Sequence, residues 1–542
     1  MSRRLSIPDC TVATLYLAPV AVMTVWAWSH HSPRVACAVV LAAALVASVF
    51  AAAARTWRLF FVVQFPLIVL AAVFVAYTVS FHMPPGNTLA QILVGASAEE
   101  IRGFLSLSAW RWGATLLAVG SAVYLGMALK VSRREIFGAG CSRFTRPTLA
   151  LLLAGTGYVA ADPQQMIDGL ALDPAVGSLI FLGGNVPQVH AQMQGSQVRK
   201  IPYAGTRRSG EEVHILVVGE SARRDSWSAY GYSRATTPML ESLKGEIVLL
   251  QDAVADANLT EWSVPIIMTG LPPEGFSIAN VHGNLLDLAR EAGFRTAWLV
   301  NQDPSISVSF GIDADYLEYP PDFKSNINGR HTLDGSLLPA YAREIARSGQ
   351  ARFIGIHMMG AHWEYYRRYP ESFGRFGPAG GAASLSMVSM MLDDEKSQSA
   401  VVDAYDNATL YTDWFLGRLI EEARALKVPA TLTFFPDHGE DLQLLDHEAG
   451  HGQPNYTRHA FEIPAFVWMN DAYRRAHPQI AAGIAANASK EIRSHNVFFT
   501  EADLMGVKWP GYAATKSFAS EEFVPDVGMK HVAGGVLVTR SL

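Results

Sequence analysis

The run Val213-His214-Ile215-Leu216-Val217-Val218, followed directly by Gly219-Glu220-Ser221, decides the fold of the C-terminal part of this chain. It is a short strand-like segment that ends in a glycine and an acid. Further apolar runs follow at residues 247–250, 295–300, 353–358, 431–435 and 464–469. Helix-like stretches lie between them, at 284–292, 335–347 and 399–426. Strands that alternate with helices indicate an α/β domain with a mainly parallel sheet.

Acidic and histidine side chains follow two of these strands. Glu220 comes directly after the first strand, and Asp437-His438-Gly439-Glu440 follows the fifth. Ligands of such sheets bind beyond the carboxyl ends of the strands, so these groups are expected at one edge. Carboxylate and imidazole groups are zinc ligands, and Gly439 allows a tight turn. The pattern predicts a metal site, with an ordinary turn and a helix-start acid at Glu220 as the alternatives.

A hydroxyl group is the third chemical element of the pattern. Thr260 lies in Asn258-Leu259-Thr260-Glu261-Trp262-Ser263-Val264-Pro265, and the other candidate nucleophiles are Ser221, Ser226 and Ser263. Thr260 is expected to cap a short helix, where free backbone N–H groups favour an anionic phosphate. A metal-bound hydroxyl also ionises more readily than a free one. Thr260 as a plain helix cap is the alternative.

Histidines form the next group. His362 and His451 are favoured as functional residues that hold a second metal, bind phosphate or protonate a leaving alcohol. Three other histidines are left open between function and structure: His357, His447 and His459. Three residues that follow His362 either line a phosphate-binding cleft or serve packing: Tyr365, Tyr366 and Arg368.

Length and composition point to more than one domain. With 542 residues the chain is too long for a single ordinary core. The net charge of −6 gives no sign of nucleic-acid binding. The cysteines Cys10, Cys37 and Cys141 all lie in the hydrophobic N-terminal third, so the rest of the chain can form no internal disulfide.

Apolar runs near the N-terminus are long enough to cross a membrane. They lie at residues 10–29, 35–54, 59–80, 111–130 and 147–162, and the last is the shortest. About 20 apolar residues span the hydrocarbon core, and buried core helices are the disfavoured alternative. Lys and Arg concentrate in alternate loops, so five spans that begin inside place the rest of the chain outside, which in a bacterium is the periplasm.

These patterns predict three parts of the chain. A transmembrane domain covers residues 1–162, a linker with short interfacial helices covers 163–211, and a catalytic domain covers 212–542. Within the first part, the segment 81–110 is expected to form short amphipathic helices at the membrane surface.

Ordered motifs lie between residues 219 and 454. They are Gly219-Glu220-Ser221-Ala222-Arg223, Tyr230-Gly231-Tyr232, Thr260-x-x-Ser263-Val264-Pro265, His357…Gly360-x-His362, Tyr405-Asp406-Asn407 and Asp437-His438-Gly439-Glu440…His451-Gly452-x-Pro454. In these motifs the chain resembles the membrane phosphoethanolamine transferases, which include lipid A modifying and mobile colistin-resistance enzymes. The resemblance implies five membrane spans before a domain of the sulfatase and alkaline phosphatase type.

The resemblance also implies a reaction. It implies that four residues bind zinc: Glu220, Thr260, Asp437 and His438. Thr260 would attack phosphatidylethanolamine, release diacylglycerol and pass phosphoethanolamine to lipid A, the lipopolysaccharide core or another envelope glycan. One Zn2+ is tightly bound and a second is left open, and His362 and His451 serve the phosphoethanolamine group or that second ion. The implied enzyme is a multi-pass protein of the bacterial inner membrane, with its catalytic domain in the periplasm, inner-membrane lipids around it and no nucleic-acid partner.

Two departures from the lipid A enzymes bear on the acceptor. Those enzymes carry cysteines flanking the nucleophile, where this chain has Asp256 and Ile266, and a lysine just beyond a stretch that here ends in Asn301-Gln302. The latter form resembles the cysteine-poor members that modify core sugars. A glycerol-phosphate transferase of the lipoteichoic acid synthase type and a zinc phosphodiesterase are the alternatives. A formylglycine sulfatase is disfavoured, because no Cys/Ser-x-Pro-x-Arg sequence lies near Thr260.

Overall fold

The computed structural model describes most of the chain. The described residues are 6–81, 84–85, 90, 108–133, 136, 156, 158, 162–187, 203–207, 210–275, 283–302, 314–320, 332–363, 365–377, 395–442, 450–452, 457–526, 530–533 and 536–538. They form two compact units, of which the first holds the described residues up to 187 and the second those from 203 onward.

Apolar helices make up the first unit. They are α1 (Ile7–His30), α2 (Pro33–Ala54), α3 (Trp57–Val63), α4 (Phe65–Phe81), α5 (Ser108–Lys130), α6 (Pro163–Leu172) and α7 (Pro174–Ile180), with a π-helical turn at Phe181–Asn185. In the described part of the chain, α1 and α2 are each long and apolar enough to cross a membrane. Counting two bent helix pairs as one span each brings the total to four. The unit is therefore typical of a membrane protein, and the count of five stays a prediction.

Polar caps set where these helices begin. Ser6, Ser32 and Thr56 each accept a hydrogen bond from the backbone N–H three residues further on. Such a cap satisfies one of the free donors at a helix start. The chain therefore turns between apolar helices without leaving those donors unpaired.

The predicted third run does not form one straight helix. Residues 59–80 are divided at Gln64 into α3 and α4, which are bent by 52°. The fifth run, 147–162, lies outside the described residues except at three positions, and so does most of the segment 81–110.

Helices α6 and α7 lie in the segment that the sequence predicts as a linker, and they pack within the first unit. The axes of these two helices meet at a bend of 92°. A Cβ on Gly169 of α6 would stand 2.2 Å from Cβ of Ala38, and one on Gly177 of α7 would stand 2.5 Å from the ring of Phe74. Small residues at these positions let the helices approach closely.

A seven-stranded mixed sheet forms the centre of the second unit. Its strands, in spatial order, are β2 (Ile247–Leu250), β8 (Ala465–Met469), β7 (Ala430–Pro436), β1 (Val213–Gly219), β6 (Arg352–His357), β4 (Arg295–Val300) and β5 (Tyr316–Glu318). Strands β7, β1, β6, β4 and β5 are paired in parallel, whereas β8 is antiparallel to both β7 and β2. Smaller sheets pair β3 (Asp252–Val254) with β9 (Glu491–Arg493), and β10 (His531–Ala533) with β11 (Val536–Val538).

Helices cover both faces of this sheet. They are α8 (Pro238–Ser242), α9 (Thr260–Thr269), α10 (Leu285–Glu291), α11 (Leu338–Ile345), α12 (Glu395–Arg424), α13 (Asp471–Ala476), α14 (Pro478–Asn487) and α15 (Asn496–Leu504). Single 3-10 turns lie at Arg224–Ser226, Ser228–Tyr230, Pro273–Gly275, Asp334–Leu337, Tyr365–Arg367, Glu371–Phe373, Arg458–Ala460 and Ala514–Lys516. Leu216 and Val218 of β1 pack with α9, α10 and α15, and Ile215 and Val217 pack with α11 and α12. The predicted α/β class is therefore confirmed, with a sheet buried on both faces.

The register of the central strands brings their carboxyl ends level. Val218 of β1 pairs with His357 of β6, and Gly219 of β1 pairs with Pro436 of β7. The chain therefore leaves β1 and β7 at the same height, and the next residue of each strand enters the edge where ligands of such sheets bind.

Candidate metal centre

The loops after β1 and β7 hold Glu220 and Asp437 side by side. The backbone N–H of Asp437 donates to the carbonyl of Gly219 at 3.0 Å. Oδ1 of Asp437 accepts from the N–H groups of Ser221 and His438 at 3.2 and 2.7 Å. Ser221 adopts a left-handed backbone conformation with φ of 52°, and its hydroxyl donates to Oε1 of Glu220 at 2.7 Å. Such strain in a non-glycine residue is typical of functional sites.

Four side chains converge at this edge with the spacing of zinc ligands. Oγ1 of Thr260 lies 3.2 Å from Oε2 of Glu220 and 3.3 Å from Nε2 of His438. The same imidazole nitrogen lies 3.4 Å from Oδ2 of Asp437 and 3.5 Å from Oε1 of Glu220. Tetrahedral ligands about 2.0–2.2 Å from a zinc ion stand about 3.3–3.6 Å apart. The structure thus brings together all four residues that the sequence predicts as metal ligands.

The charges of this group favour a cation. Glu220 and Asp437 are buried, and Oδ2 of Asp437 has no hydrogen-bond partner among the described residues. Burial and the neighbouring Asp437 carboxylate raise the pKa of Glu220 well above its usual value. Two buried carboxylates repel each other unless a positive charge lies between them. The donor set therefore fits a divalent metal ion.

His438 is oriented as a metal ligand. Nδ1 of its ring lies 2.8 Å from the carbonyl of Gly439, which requires the ring proton on that nitrogen. Nε2 then carries the lone pair and faces the two carboxylates. Burial lowers the pKa of His438, which keeps the ring neutral. A backbone carbonyl that fixes the tautomer in this way is a common second contact of histidine ligands.

Glycine is needed at position 439 for a reason other than the tight turn expected from the sequence. A Cβ at this position would stand 2.0 Å from the carbonyl oxygen of His459. The N–H of Gly439 donates to the carbonyl of Ala460 at 2.9 Å. Glycine is therefore required because the loop after β7 lies directly against another backbone segment.

Thr260 is the first residue of α9, and its hydroxyl does not cap the helix. Leu259 occupies the N-cap position and makes no side-chain hydrogen bond there. The prediction of Thr260 as a cap is wrong, because its hydroxyl faces Glu220 and His438 rather than backbone N–H groups. The helix start still places this hydroxyl at the positive end of the helix dipole.

The other candidate nucleophiles are engaged elsewhere. The hydroxyl of Ser263 donates to the carbonyl of Ala257 at 2.9 Å. The hydroxyl of Ser221 donates to Glu220, as described above, and supports that carboxylate. No hydrogen bond in the described part of the chain ties Ser226 to the four ligands. Thr260 is thus the hydroxyl that the fold brings among them.

His451 lies beside the four ligands and is held by Glu440. Its Nδ1 lies 2.8 Å from Oε2 of Glu440, and its ring centre lies 4.2 Å from that of His438, with the two ring planes tilted by 36°. One ligand atom each of Glu220, His438 and His451 lies within 4.8 Å of the others. Burial lowers the pKa of His451, but the Glu440 carboxylate outweighs burial and raises it. Tyr365 donates to the other oxygen of Glu440 at 2.8 Å, so this tyrosine supports the carboxylate that holds His451.

His362 lies next to His451, with the two ring centres 5.7 Å apart. His362 is half-buried, and desolvation together with Arg368 and His451 lowers its pKa well below the usual value. Nε and Nη2 of Arg368 donate to the carbonyls of His362 and Trp363 at 3.0 and 2.6 Å. Arg368 therefore holds the loop that carries His362.

The remaining predicted residues lie apart from the four ligands. His357 ends β6, is fully buried, and has a pKa lowered to about 4 by burial. His459 pairs with Asp225 at 3.1 Å, and Tyr366 accepts a hydrogen bond from Arg367 at 3.0 Å. His447 lies outside the described residues.

Two supporting residues were not recognised from the sequence. Gln302, noted only as a departure from relatives, donates from Nε2 to Oε2 of Glu220 at 3.0 Å. Tyr405 donates to the carbonyl of Ser221 at 2.6 Å and accepts from the N–H of Arg223 at 2.7 Å, so it holds the strained turn after β1. Tyr405 lies in one of the sequence motifs, but no spacing in the sequence indicated which residues it contacts.

Comparison with known proteins identifies the second unit. The family model described as Sulfatase matches residues 213–507. The phosphoethanolamine transferase EptC of Escherichia coli is 26% identical over 319 residues, which are 57% of this chain and 53% of EptC. The chain thus spans about half the length of such relatives.

Solved structures show the same fold. The periplasmic domain of E. coli EptC in complex with zinc matches 63% of this chain and 96% of its own, with 24% identity and a TM-score of 0.54. The integral membrane protein EptA of Neisseria meningitidis matches 94% of this chain and 98% of its own, with 20% identity and a TM-score of 0.69. The structures show that the fold is shared, and the named relatives confirm the resemblance seen in the motifs.

Proposed function

The chain belongs to the sulfatase family, and on this premise we propose that it moves phosphoethanolamine from phosphatidylethanolamine to an acceptor of the bacterial envelope. The relatives named phosphoethanolamine transferases support this reaction over sulfate-ester hydrolysis. In the proposal, the first unit spans the inner membrane several times and the second unit lies in the periplasm. The acceptor is lipopolysaccharide, through its core or lipid A, or another envelope glycan.

One observation carries the proposal: Oγ1 of Thr260 lies between Glu220 and His438, at the start of a helix. A hydroxyl in this position is suited to attack phosphorus rather than to hold structure. The start of α9 also places the positive end of a helix dipole beside this hydroxyl, which favours a phosphate. Glu220, Thr260, Asp437 and His438 would hold one Zn2+, which when bound would lower the pKa of the hydroxyl and neutralise charge on the phosphoryl oxygens.

The first half of the reaction forms a covalent enzyme. Oγ1 of Thr260, which has given up its proton to solvent, forms a bond to the phosphorus of phosphatidylethanolamine, and the bond from phosphorus to the diacylglycerol oxygen breaks. That oxygen takes a proton from His451, whose Nδ1 is held by Glu440. Diacylglycerol leaves, and phosphoethanolamine stays on Thr260 as a phosphodiester.

The second half reverses the roles. An acceptor oxygen bonds to phosphorus, and the bond to Oγ1 of Thr260 breaks, which restores the deprotonated oxygen that began the reaction. His451 takes the proton of the acceptor hydroxyl and so regains its first protonation state, and the half-buried, neutral His362 lies beside it. Transfer to a glycan and release to water differ only in which oxygen enters at this step.

Mass spectrometry of the full-length protein in detergent tests the proposal. The protein is incubated with zinc and phosphatidylethanolamine, and the wild type is compared with Thr260→Ala. Thr269→Ala is the matched control, because its hydroxyl lies on the same helix and bonds only to backbone groups, donating to the carbonyl of Pro265 at 2.7 Å and accepting from the N–H of Leu271 at 3.4 Å. The expected result is a phosphoethanolamine adduct on the Thr260 peptide in wild type and control, and none in Thr260→Ala.

Other outcomes would replace the proposal. A glycerol-phosphate adduct that forms with phosphatidylglycerol, and none with phosphatidylethanolamine, would establish a transferase of the lipoteichoic acid synthase type. Diacylglycerol release without any adduct, unaffected by Thr260→Ala, would establish a phosphodiesterase that uses water directly.

A further inference from the structure

Gln302 lies two residues beyond the end of β4 and is buried, with 5% of its surface exposed. Its Nε2 donates to Oε2 of Glu220 at 3.0 Å and to the carbonyl oxygen of Met358 at 2.9 Å. Both neighbours can only accept, so the amide must face them with its nitrogen. The side chain therefore connects the loops after β1, β4 and β6 at the metal ligands.

The contact fixes one oxygen of Glu220 while another residue fixes the second. Oε1 accepts from the hydroxyl of Ser221 at 2.7 Å, and Oε2 accepts from Gln302. A carboxylate on a flexible side chain loses rotational freedom when it binds a metal. Two donors hold the carboxylate plane of Glu220 before the metal arrives. An amide does this without adding a charge that would compete with the cation.

We propose that Gln302 is a positioning residue that sets the carboxylate of Glu220 for metal binding, without touching the metal or the substrate. The inference rests on the metal site of the proposed function and not on the identity of the lipid donor. Partners of this kind contribute about 10–100-fold to metal affinity. A purely structural tie between the loops would instead stabilise the protein equally with and without metal.

Zinc affinity of the full-length protein in detergent, measured by competition with a chromogenic chelator, tests this role. Gln302→Met keeps the size of the side chain and removes the donor. Gln302→Asn keeps the amide but withdraws it by one carbon, and it serves if the first variant does not fold. Asn487→Leu is the control, because this buried amide also donates to two carbonyls, of Phe518 and Ser520, at 3.1 and 2.8 Å.

Weaker zinc binding by about 10–100-fold in the Gln302 variants is expected, with a smaller zinc-induced rise in melting temperature. Asn487→Leu is expected to lower the melting temperature equally with and without zinc and to keep the affinity of the wild type. Unchanged zinc affinity in the Gln302 variants, or a wild type that does not bind zinc, would overturn the inference.

The measurement separates this inference from the proposed reaction, since it uses no lipid. A wild type that binds zinc in a Gln302-dependent way, but gives no phosphoethanolamine adduct, supports the positioning role and defeats the proposed donor. An adduct that forms in the wild type, together with unchanged zinc affinity in the variants, supports the proposed donor and overturns the positioning role.

Discussion

Nε of Arg493 donates to Oδ1 of Asp256 at 2.6 Å, and both side chains are buried. Oδ2 of the same carboxylate accepts from the N–H and from Nδ1 of His495 at 3.0 and 2.7 Å. The carbonyl of Asp256 also accepts from the N–H of Val532 at 2.8 Å. Asp256 lies four residues before Thr260, so this network holds the segment that leads to the proposed nucleophile. The lipid A enzymes that the chain resembles have a cysteine here, and this chain has a buried ion pair.

Breaking this ion pair is expected to destabilise the second unit. Asp256→Asn keeps the shape of the side chain but removes the nearer of two counter-charges from the buried Arg493, which keeps only Glu491 at 3.7 Å. Loss of one partner of a buried pair costs about 3–5 kcal/mol. Thermal unfolding of the full-length protein should therefore show a melting temperature several degrees lower.

Glu421→Gln is the control for that measurement, since Glu421 forms an exposed pair with Arg418. Exposed pairs contribute about 0–1 kcal/mol, so this variant should melt close to the wild type. Equal small effects of both substitutions would show that Arg493 is stabilised by its other partners, the Lys530 carbonyl at 2.9 Å and the Glu491 carboxylate at 3.7 Å, rather than by Asp256.

His495 makes the same network sensitive to alkaline pH. Burial lowers the pKa of His495, but Asp256 and Asp526 outweigh burial and raise it to about 9. A raised histidine pKa contributes stability that is complete below about pH 6.5 and is lost as the pH rises through 9. His495→Gln should therefore destabilise the protein by about 3 kcal/mol at pH 6.5 and much less at pH 9. Melting temperatures of both proteins across this range test it, and a difference that does not change with pH would contradict it.

The two carboxylates of the proposed metal site could be predicted because their signal is local. Glu220 and Asp437 each follow an apolar strand directly, and the geometry of parallel strands alone places them together. Their supports could not be predicted. Gln302 reaches Glu220 from 82 positions along the chain, and Asp256 meets Arg493 across 237. No periodicity encodes such pairs, since they depend on loop conformations that follow only once the sheet has formed.

The fold shows the same division. Alternating strands and helices were sufficient for the α/β class. The apolar pattern of residues 464–469 does not state the direction of a strand, and β8 runs antiparallel to β7. The hydropathy pattern also did not predict the helix break at Gln64, because one polar residue scarcely lowers the mean hydropathy of a long apolar run. The helix is nevertheless divided there.

Glu501 makes stability depend on pH in the core of the second unit. It is fully buried on α15, and burial raises its pKa to about 8, against a smaller opposite effect of the Thr433 hydroxyl. The folded protein therefore holds this group protonated, while the unfolded chain ionises it near its ordinary value. The stability that the protonated Glu501 side chain contributes is fully present below about pH 4.5 and is lost as the pH rises towards 8.

Glu501→Gln should remove that loss. The variant should gain about 3–5 kcal/mol relative to the wild type between pH 5 and pH 8. Melting temperatures at the two pH values measure the change, and their difference between variant and wild type should grow with pH. A gap of the same size at both values would mean that Glu501 is ionised in the folded protein.

Zinc is expected to stabilise the wild type, and Asp437 determines by how much. A ligand at 100 times its dissociation constant adds about 2.7 kcal/mol to the stability of the folded state. Asp437→Asn removes one anionic ligand, but its Oδ1 can still accept from the N–H groups of Ser221 and His438. Without metal, the variant also loses the repulsion between Asp437 and Glu220. It should therefore melt at or above the temperature of the wild type in the presence of a chelator, and below it in the presence of zinc.

This crossing of melting temperatures separates a metal ligand from a structural carboxylate. Asp413 is the matched control, because it is buried and accepts from the N–H groups of Met239 and Leu240 at 2.7 and 3.0 Å, at the start of α8. Asp413→Asn should change the melting temperature by the same amount with and without zinc. If Asp437→Asn behaves in that way too, the carboxylate only shapes the turn after β7, and the metal is held by the remaining ligands together with His451, whose ring lies against His438.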